Sequence, residues 1–137
     1  MAAVPATLLT AIITIVAIVL YIIMGIRVGR MRGKHNVTAP ATTGAPEFER
    51  AYRVQMNTLE QMPIFLPALW LATIYFKRFG IAPPVLGAIW VIGRVLYMEG
   101  YMSDPGKRGF GFTISTLSQL LLLILAAVGV VMAWMTI

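Results

Sequence analysis

The chain has 137 residues, of which 59% are hydrophobic and only 12% charged, with a mean hydropathy of +0.84 and a formal net charge of +6. This composition excludes an ordinary soluble protein and fits one membrane domain, residues 1–137. Zero cysteines exclude disulfides, cysteine metal sites and a protein thiol nucleophile, and the eleven Lys and Arg cluster at the ends of apolar runs rather than forming a nucleic-acid patch.

Four membrane spans are expected. The first, about residues 5–28, is rich in Ile, Val, Leu and Ala, and no charge occurs between Met1 and Ile26. It is longer than the roughly 7–15 apolar residues of a signal peptide and lacks a basic start, so it reads as a retained span. A basic, turn-rich linker follows, with Arg27, Arg30, Arg32 and Lys34 and then HNVTAPATTGA. His35 falls in that linker beside Lys34 and Asn36, as a solvated imidazole with no assigned role.

The second span, about residues 46–76, opens on Pro46 with Glu47 and Glu49 beside it, residues that suit a helix N-terminus. Pro63 and Pro67 fall inside it and either bend the helix or open a lateral pocket. Lys77, Arg78 and Gly80 end it, and Pro83-Pro84 open the third span, about residues 83–102. Ser103-Asp104-Pro105-Gly106 is a turn signal, after which Lys107 and Arg108 precede a fourth span, about residues 110–136. Trp70, Trp90 and Trp134 read as lipid-facing or packing groups. The first and third connections carry most of the basic residues, which places them in the cytoplasm and the termini on the opposite side.

Polar residues recur at helical spacing in two of these spans. Arg50, Arg53, Asn57 and Glu60 are three or four apart, so they form one stripe on the second helix. Arg94, Tyr97 and Tyr101 do the same on the third, with Arg108 just beyond the turn. Ionisable groups at membrane depth are costly and usually face a bundle interior or a wet cavity. The two stripes therefore point to a site for a polar, anionic, flexible ligand, with Arg forks for carboxylates and amide or hydroxyl groups for the rest. Simpler readings stand beside this one. Arg50 and Arg53 could pair with Glu47, Glu49 and Glu60, the tyrosines could belong to an interfacial belt, and Arg108 could be an orientation charge. Arg94 is set aside as a snorkelling or packing residue.

The segment PEFERAYRVQMNTLEQMP and the later YMEGYMSDPGKR closely resemble signatures of the membrane-associated proteins in eicosanoid and glutathione metabolism (MAPEG), a family that includes microsomal glutathione transferases and leukotriene-C synthase. The resemblance extends over most of the chain. It implies an all-α bundle of four transmembrane helices assembled as a homotrimer, with glutathione as co-substrate at each subunit interface and no metal. By position it implies glutathione contacts at Arg53, Gln55, Asn57, Glu60, Tyr97 and Tyr101, and at Arg32 from the first connection. Arg108 matches the arginine that activates the glutathione thiol in synthase-like members. Gln61 departs from the tyrosine those members carry there.

The activity implied is conjugation of glutathione to apolar electrophiles arriving from lipid, or reduction of lipid hydroperoxides by the same thiolate. A non-catalytic lipid-binding or scaffolding protein of the same fold is the alternative. A small multidrug-type transporter has the right size, but its polar groups would gather at mid-membrane rather than at one end.

Overall fold

The computed structural model describes residues 4–137; the first three residues of the expected domain lie outside the described residues. Four long helices follow one another in chain order: α1 Ala6–His35, α2 Pro46–Tyr75, α3 Ala82–Ser103 and α4 Arg108–Trp134. A single 3-10 turn, Pro105–Lys107, joins α3 to α4. Short connections between long helices make chain neighbours antiparallel, so the end of α1, the start of α2, the end of α3 and the start of α4 meet at one end of the bundle.

The first helix runs seven residues past its expected end at position 28. Arg27, Arg30, Arg32, Lys34 and His35 are helical rather than parts of a linker. Basic residues suit the negative end of a helix dipole, and straight-chain cations lose little freedom in a helix. The stop comes at Asn36, which adopts the left-handed conformation (φ 52°, ψ 40°) that Asn tolerates, with its N–H on the Arg32 carbonyl. His35 is thus helical and not a free loop imidazole: its Nε2 lies 2.9 Å from Glu47 Oε2, which also accepts from Lys34 Nζ at 2.9 Å. These contacts tie the end of α1 to the start of α2.

Among the described residues, three helical segments are long and apolar enough to cross a membrane: Ala6–His35, Ala82–Ser103 and Pro105–Trp134. The second helix is not, because its first half carries Glu47, Glu49, Arg50, Arg53 and Glu60 among its apolar residues. It nonetheless packs against α1, α3 and α4. Pro63 and Pro67 are exposed on its outer side, and the helix continues through both.

The core lies between the helices and the outer surface is apolar. Phe65 of α2 stacks on Trp90 of α3 at 3.8 Å between ring centroids and 5° between planes. Leu69, Ala72, Leu122 and Ala126 surround them, all nearly inaccessible. Meanwhile Ile15, Ile22, Ile92, Ile124 and Val131 face outward, as in a bundle whose solvent is lipid. Trp134 is exposed, whereas Trp90 is buried and donates from Nε1 to Gln119 Oε1 at 3.3 Å.

The crossing of α3 and α4 depends on glycine. A Cβ on Gly93 would lie 2.7 Å from the Ser115 backbone nitrogen, and one on Gly111 would collide with the backbone at Tyr97. Absent side chains let the two backbones touch. This contact holds Arg94 and Tyr97 of α3 at a fixed height relative to the first turn of α4.

Candidate functional site

The site end of the bundle is assembled by local devices around each connection. Asp104 Oδ1 accepts the Gly106 N–H at 2.9 Å and the Asp104 carbonyl accepts from the Lys107 N–H at 2.9 Å, which folds the turn so that α4 begins at Arg108. Arg108 is therefore the first residue of a helix, not part of a loop. A cation at the positive end of a helix dipole is unfavourable by itself and becomes favourable with an anion beside it. Its Nη1 is 3.5 Å from the Tyr101 hydroxyl and its guanidinium carbon 5.4 Å from the Tyr101 ring centroid. Tyr101 in turn meets Tyr97 edge to face, with centroids 5.6 Å apart.

Arg53, Asn57, Tyr97, Tyr101, Arg108, Gly109 and Phe112 line one open cleft of about 450 Å³ between α2, α3 and α4. That size falls within the roughly 300–1,000 Å³ of small-molecule sites. A second cleft of about 500 Å³ adjoins it through Arg53 and Tyr101 and adds Glu49, Arg50 and Tyr52. Among the described residues no carboxylate lines the first cleft, whose floor of aromatic rings continues into the apolar contact of Tyr97 with Leu20, Met24 and Val54. The arrangement is a cationic, hydrogen-bonding mouth opening beside an apolar wall, which suits an anionic ligand that must meet an apolar partner.

The helix-locking alternative for the arginines does not describe this structure. Glu47 pairs with Lys34 and His35, Glu49 Oε1 accepts the Gly44 N–H at 2.9 Å, and Arg50 Nη1 reaches the Met102 carbonyl at 3.4 Å. Among the described residues the only other ion pair is Arg27 with Glu99, at 2.8 Å. Arg53 and Glu60 are exposed, and neither forms an ion pair among the described residues.

A family model matches residues 10–128. The chain belongs to the MAPEG family. It is 43% identical to human microsomal glutathione S-transferase 2 over 105 residues, covering 77% of this chain and 70% of that protein. Over 121 residues it is 37% identical to guinea-pig (Cavia porcellus) leukotriene C4 synthase, covering 88% of this chain and 79% of that one. An uncharacterized protein of Synechocystis is 48% identical over 114 residues, covering 83% and 82%.

Within this MAPEG chain, five of the eight site residues expected from sequence gather at one cleft: Arg53, Asn57, Tyr97, Tyr101 and Arg108. Three do not. Arg32 is turned to its own connection, donating to the Ala41 carbonyl at 2.8 Å and lying 4.7 Å from the Phe48 ring centroid. Gln55 sits about 200° around α2 from Arg53, where its amide packs against Gly25 of α1. Glu60 shares the azimuth of Arg53 but lies about 10 Å further along the helix, outside both clefts. Gln61 is buried in the bundle, its Oε1 without a hydrogen-bond partner among the described residues.

Arg94 is the residue that the sequence reading set aside and the structure brings in. It does not snorkel. Its residue surface is wholly inaccessible, its Nη2 donates to Asn57 Oδ1 at 3.2 Å and to Thr58 Oγ1 at 2.6 Å, and its Nε donates to Thr58 Oγ1 at 3.2 Å. The guanidinium carbon stands 4.0 Å from the Tyr97 ring centroid. A sequence signal did exist: Arg94 is the one charge between Ile81 and Met98, and an isolated cation in an apolar span marks a bundle interior more often than a lipid face.

Proposed function

We propose that this protein is an integral-membrane glutathione transferase that joins glutathione to apolar electrophiles, and that it also reduces lipid hydroperoxides. The observation that carries this reading is the convergence of Arg53, Asn57, Tyr97, Tyr101 and Arg108 on one cleft with no carboxylate in its wall. The glutathione S-transferase relative, 43% identical, supports the same chemistry.

In this reading Arg53 holds a carboxylate of glutathione through its fork, Asn57 and the tyrosine hydroxyls take backbone-like groups of the tripeptide, and Arg108 faces the thiol. A free thiol has a pKa near 8.5, so little of it is anionic at neutral pH. A guanidinium within about 4–6 Å favours the anion and lowers such a pKa by about 1–3 units. Arg108 does this without surrendering its own proton. The thiolate sulfur then attacks the electrophilic carbon, forming a C–S bond while the leaving group departs with the bonding electron pair. With a hydroperoxide, two glutathione molecules supply two electrons and become the disulfide, and the hydroperoxide becomes an alcohol and water. The protein supplies neither a nucleophile nor a metal.

The second helix is the fourth span in this account, with its charged first turns at the cleft end. The first and third connections face the cytoplasm. Three copies assemble around a common axis, so that Arg32, Gln55 and Glu60 reach the cleft of a neighbouring copy rather than their own.

The test is turnover by purified protein in detergent, with glutathione and chlorodinitrobenzene or with cumene hydroperoxide. Conjugate or alcohol should accumulate in proportion to enzyme. No turnover with any apolar electrophile, alongside saturable lipid binding, would instead identify a non-catalytic binding protein. Cross-linking in detergent should stop at a trimer, and a monomer that binds glutathione fully would contradict the shared site.

A further inference from the structure

The buried Arg94 has more donors than its surroundings require for packing, and the way they are spent fixes the chemistry of a neighbour. Thr58 gives its single hydroxyl proton to the Val54 carbonyl at 2.9 Å, so its lone pairs are what face Arg94 Nε and Nη2. The guanidinium is thereby clamped in orientation, with the Tyr97 ring against its face. From this fixed position Nη2 reaches the Asn57 side chain. Arginine has donors only, so the atom of Asn57 that meets it must be the carbonyl oxygen. The two amide protons of Asn57 are then left for the cleft that Asn57 lines.

We propose that Arg94 is a positioning residue which fixes the Asn57 amide so that it presents its NH₂ to the cleft, making Asn57 a dedicated donor to a carboxylate or peptide carbonyl oxygen of glutathione. This rests on the glutathione reading above. It also gives the buried cation a counterpart. No ion pair among the described residues includes Arg94, and its Nη1 is buried without a hydrogen-bond partner. An anionic ligand in the adjacent cleft offsets that charge, so binding should stabilise the wild type more than a variant lacking the guanidinium.

The experiment is a double-mutant cycle on glutathione KM and kcat, with thermal melting of each variant with and without glutathione. Arg94→Met removes the donors and keeps much of the volume. It should raise KM for glutathione about tenfold, the scale of one charge-assisted hydrogen bond, with kcat within about twofold. Asn57→Ala should do the same, and the double variant should be no worse than about twofold beyond either single change. Arg94→Lys should fall between, because one ammonium cannot hold both Thr58 and Asn57 in a fixed fork. A purely structural role would lower the melting temperature and the active fraction and leave KM untouched.

Should Arg94→Met fail to fold, Thr58→Val unclamps the guanidinium, with an expected rise in KM of about threefold and the same non-additivity with Asn57→Ala. Multiplying costs, reaching about a hundredfold in the double variant, would overturn the assignment while the glutathione reading stands. A wild type that binds no glutathione would overturn both.

Discussion

In the half of the bundle away from the cleft, Thr10 and Thr73 share a hydrogen bond of 2.8 Å, Trp70 Nε1 donates to Thr14 at 3.1 Å and Trp90 Nε1 to Gln119 at 3.3 Å. In the cleft half, Arg53, Arg94 and Arg108 lie near one another's neighbours without a carboxylate within ion-pair distance among the described residues. Both halves place polar groups among apolar helices, where an unsatisfied group is costly. One half answers that cost by pairing side chain with side chain across α1–α2 and α3–α4. The other leaves Arg53 and Arg108 without a carboxylate partner among the described residues, a partner that an anionic ligand supplies under the proposed function. Membership in the same bundle thus does not give polar residues one role.

Breaking the closed half should harm stability and spare chemistry. Trp90→Ala removes the stacked partner of Phe65 and should cost about 3–5 kcal/mol, read as denaturant or thermal unfolding in detergent. The folded remainder should keep its KM for glutathione; a large KM change would blur the division between halves. In the open half, Arg108→Ala should lower kcat about a hundredfold with KM within about threefold, since the lost interaction is made to the thiolate. Equal damage to binding and turnover would contradict that role. Arg53→Ala should weaken glutathione binding about tenfold by calorimetry, with a small change in kcat. The smallest effect is expected where an exposed ion pair only joins helix ends: Glu47→Gln should leave melting and turnover unchanged within error, because exposed pairs contribute little.

Much of the open half was legible because it sits on regular helices. Steps of three and four placed Arg53 and Asn57 on one face, and Tyr97 and Tyr101 on another, and Asp104-Pro105-Gly106 marked the turn before Arg108. What escaped the sequence depends on three-dimensional partners. The end of α1 is set by the left-handed Asn36, which a run of four basic residues concealed. Arg94 looked dispensable because its main acceptor, Thr58, lies one residue off the polar stripe and a threonine raises no periodic signal. Gly93 and Gly111 carry no chemistry of their own, yet they decide how closely α4 brings Arg108 to Tyr101. Spacing placed Glu60 on the stripe of Arg53 but did not say how far along the helix the cleft extends. Arg32, expected in a linker, is helical, and Arg32 and Gln55 were pointed to by resemblance rather than by periodicity.

The most direct measurement is ultraviolet difference absorbance on mixing protein with saturating glutathione, at the thiolate band near roughly 240 nm. The account predicts a band at neutral pH that grows with occupied sites and is absent from Arg108→Ala. A wild type that binds glutathione fully without developing this band would contradict the claim that Arg108 holds the sulfur as an anion.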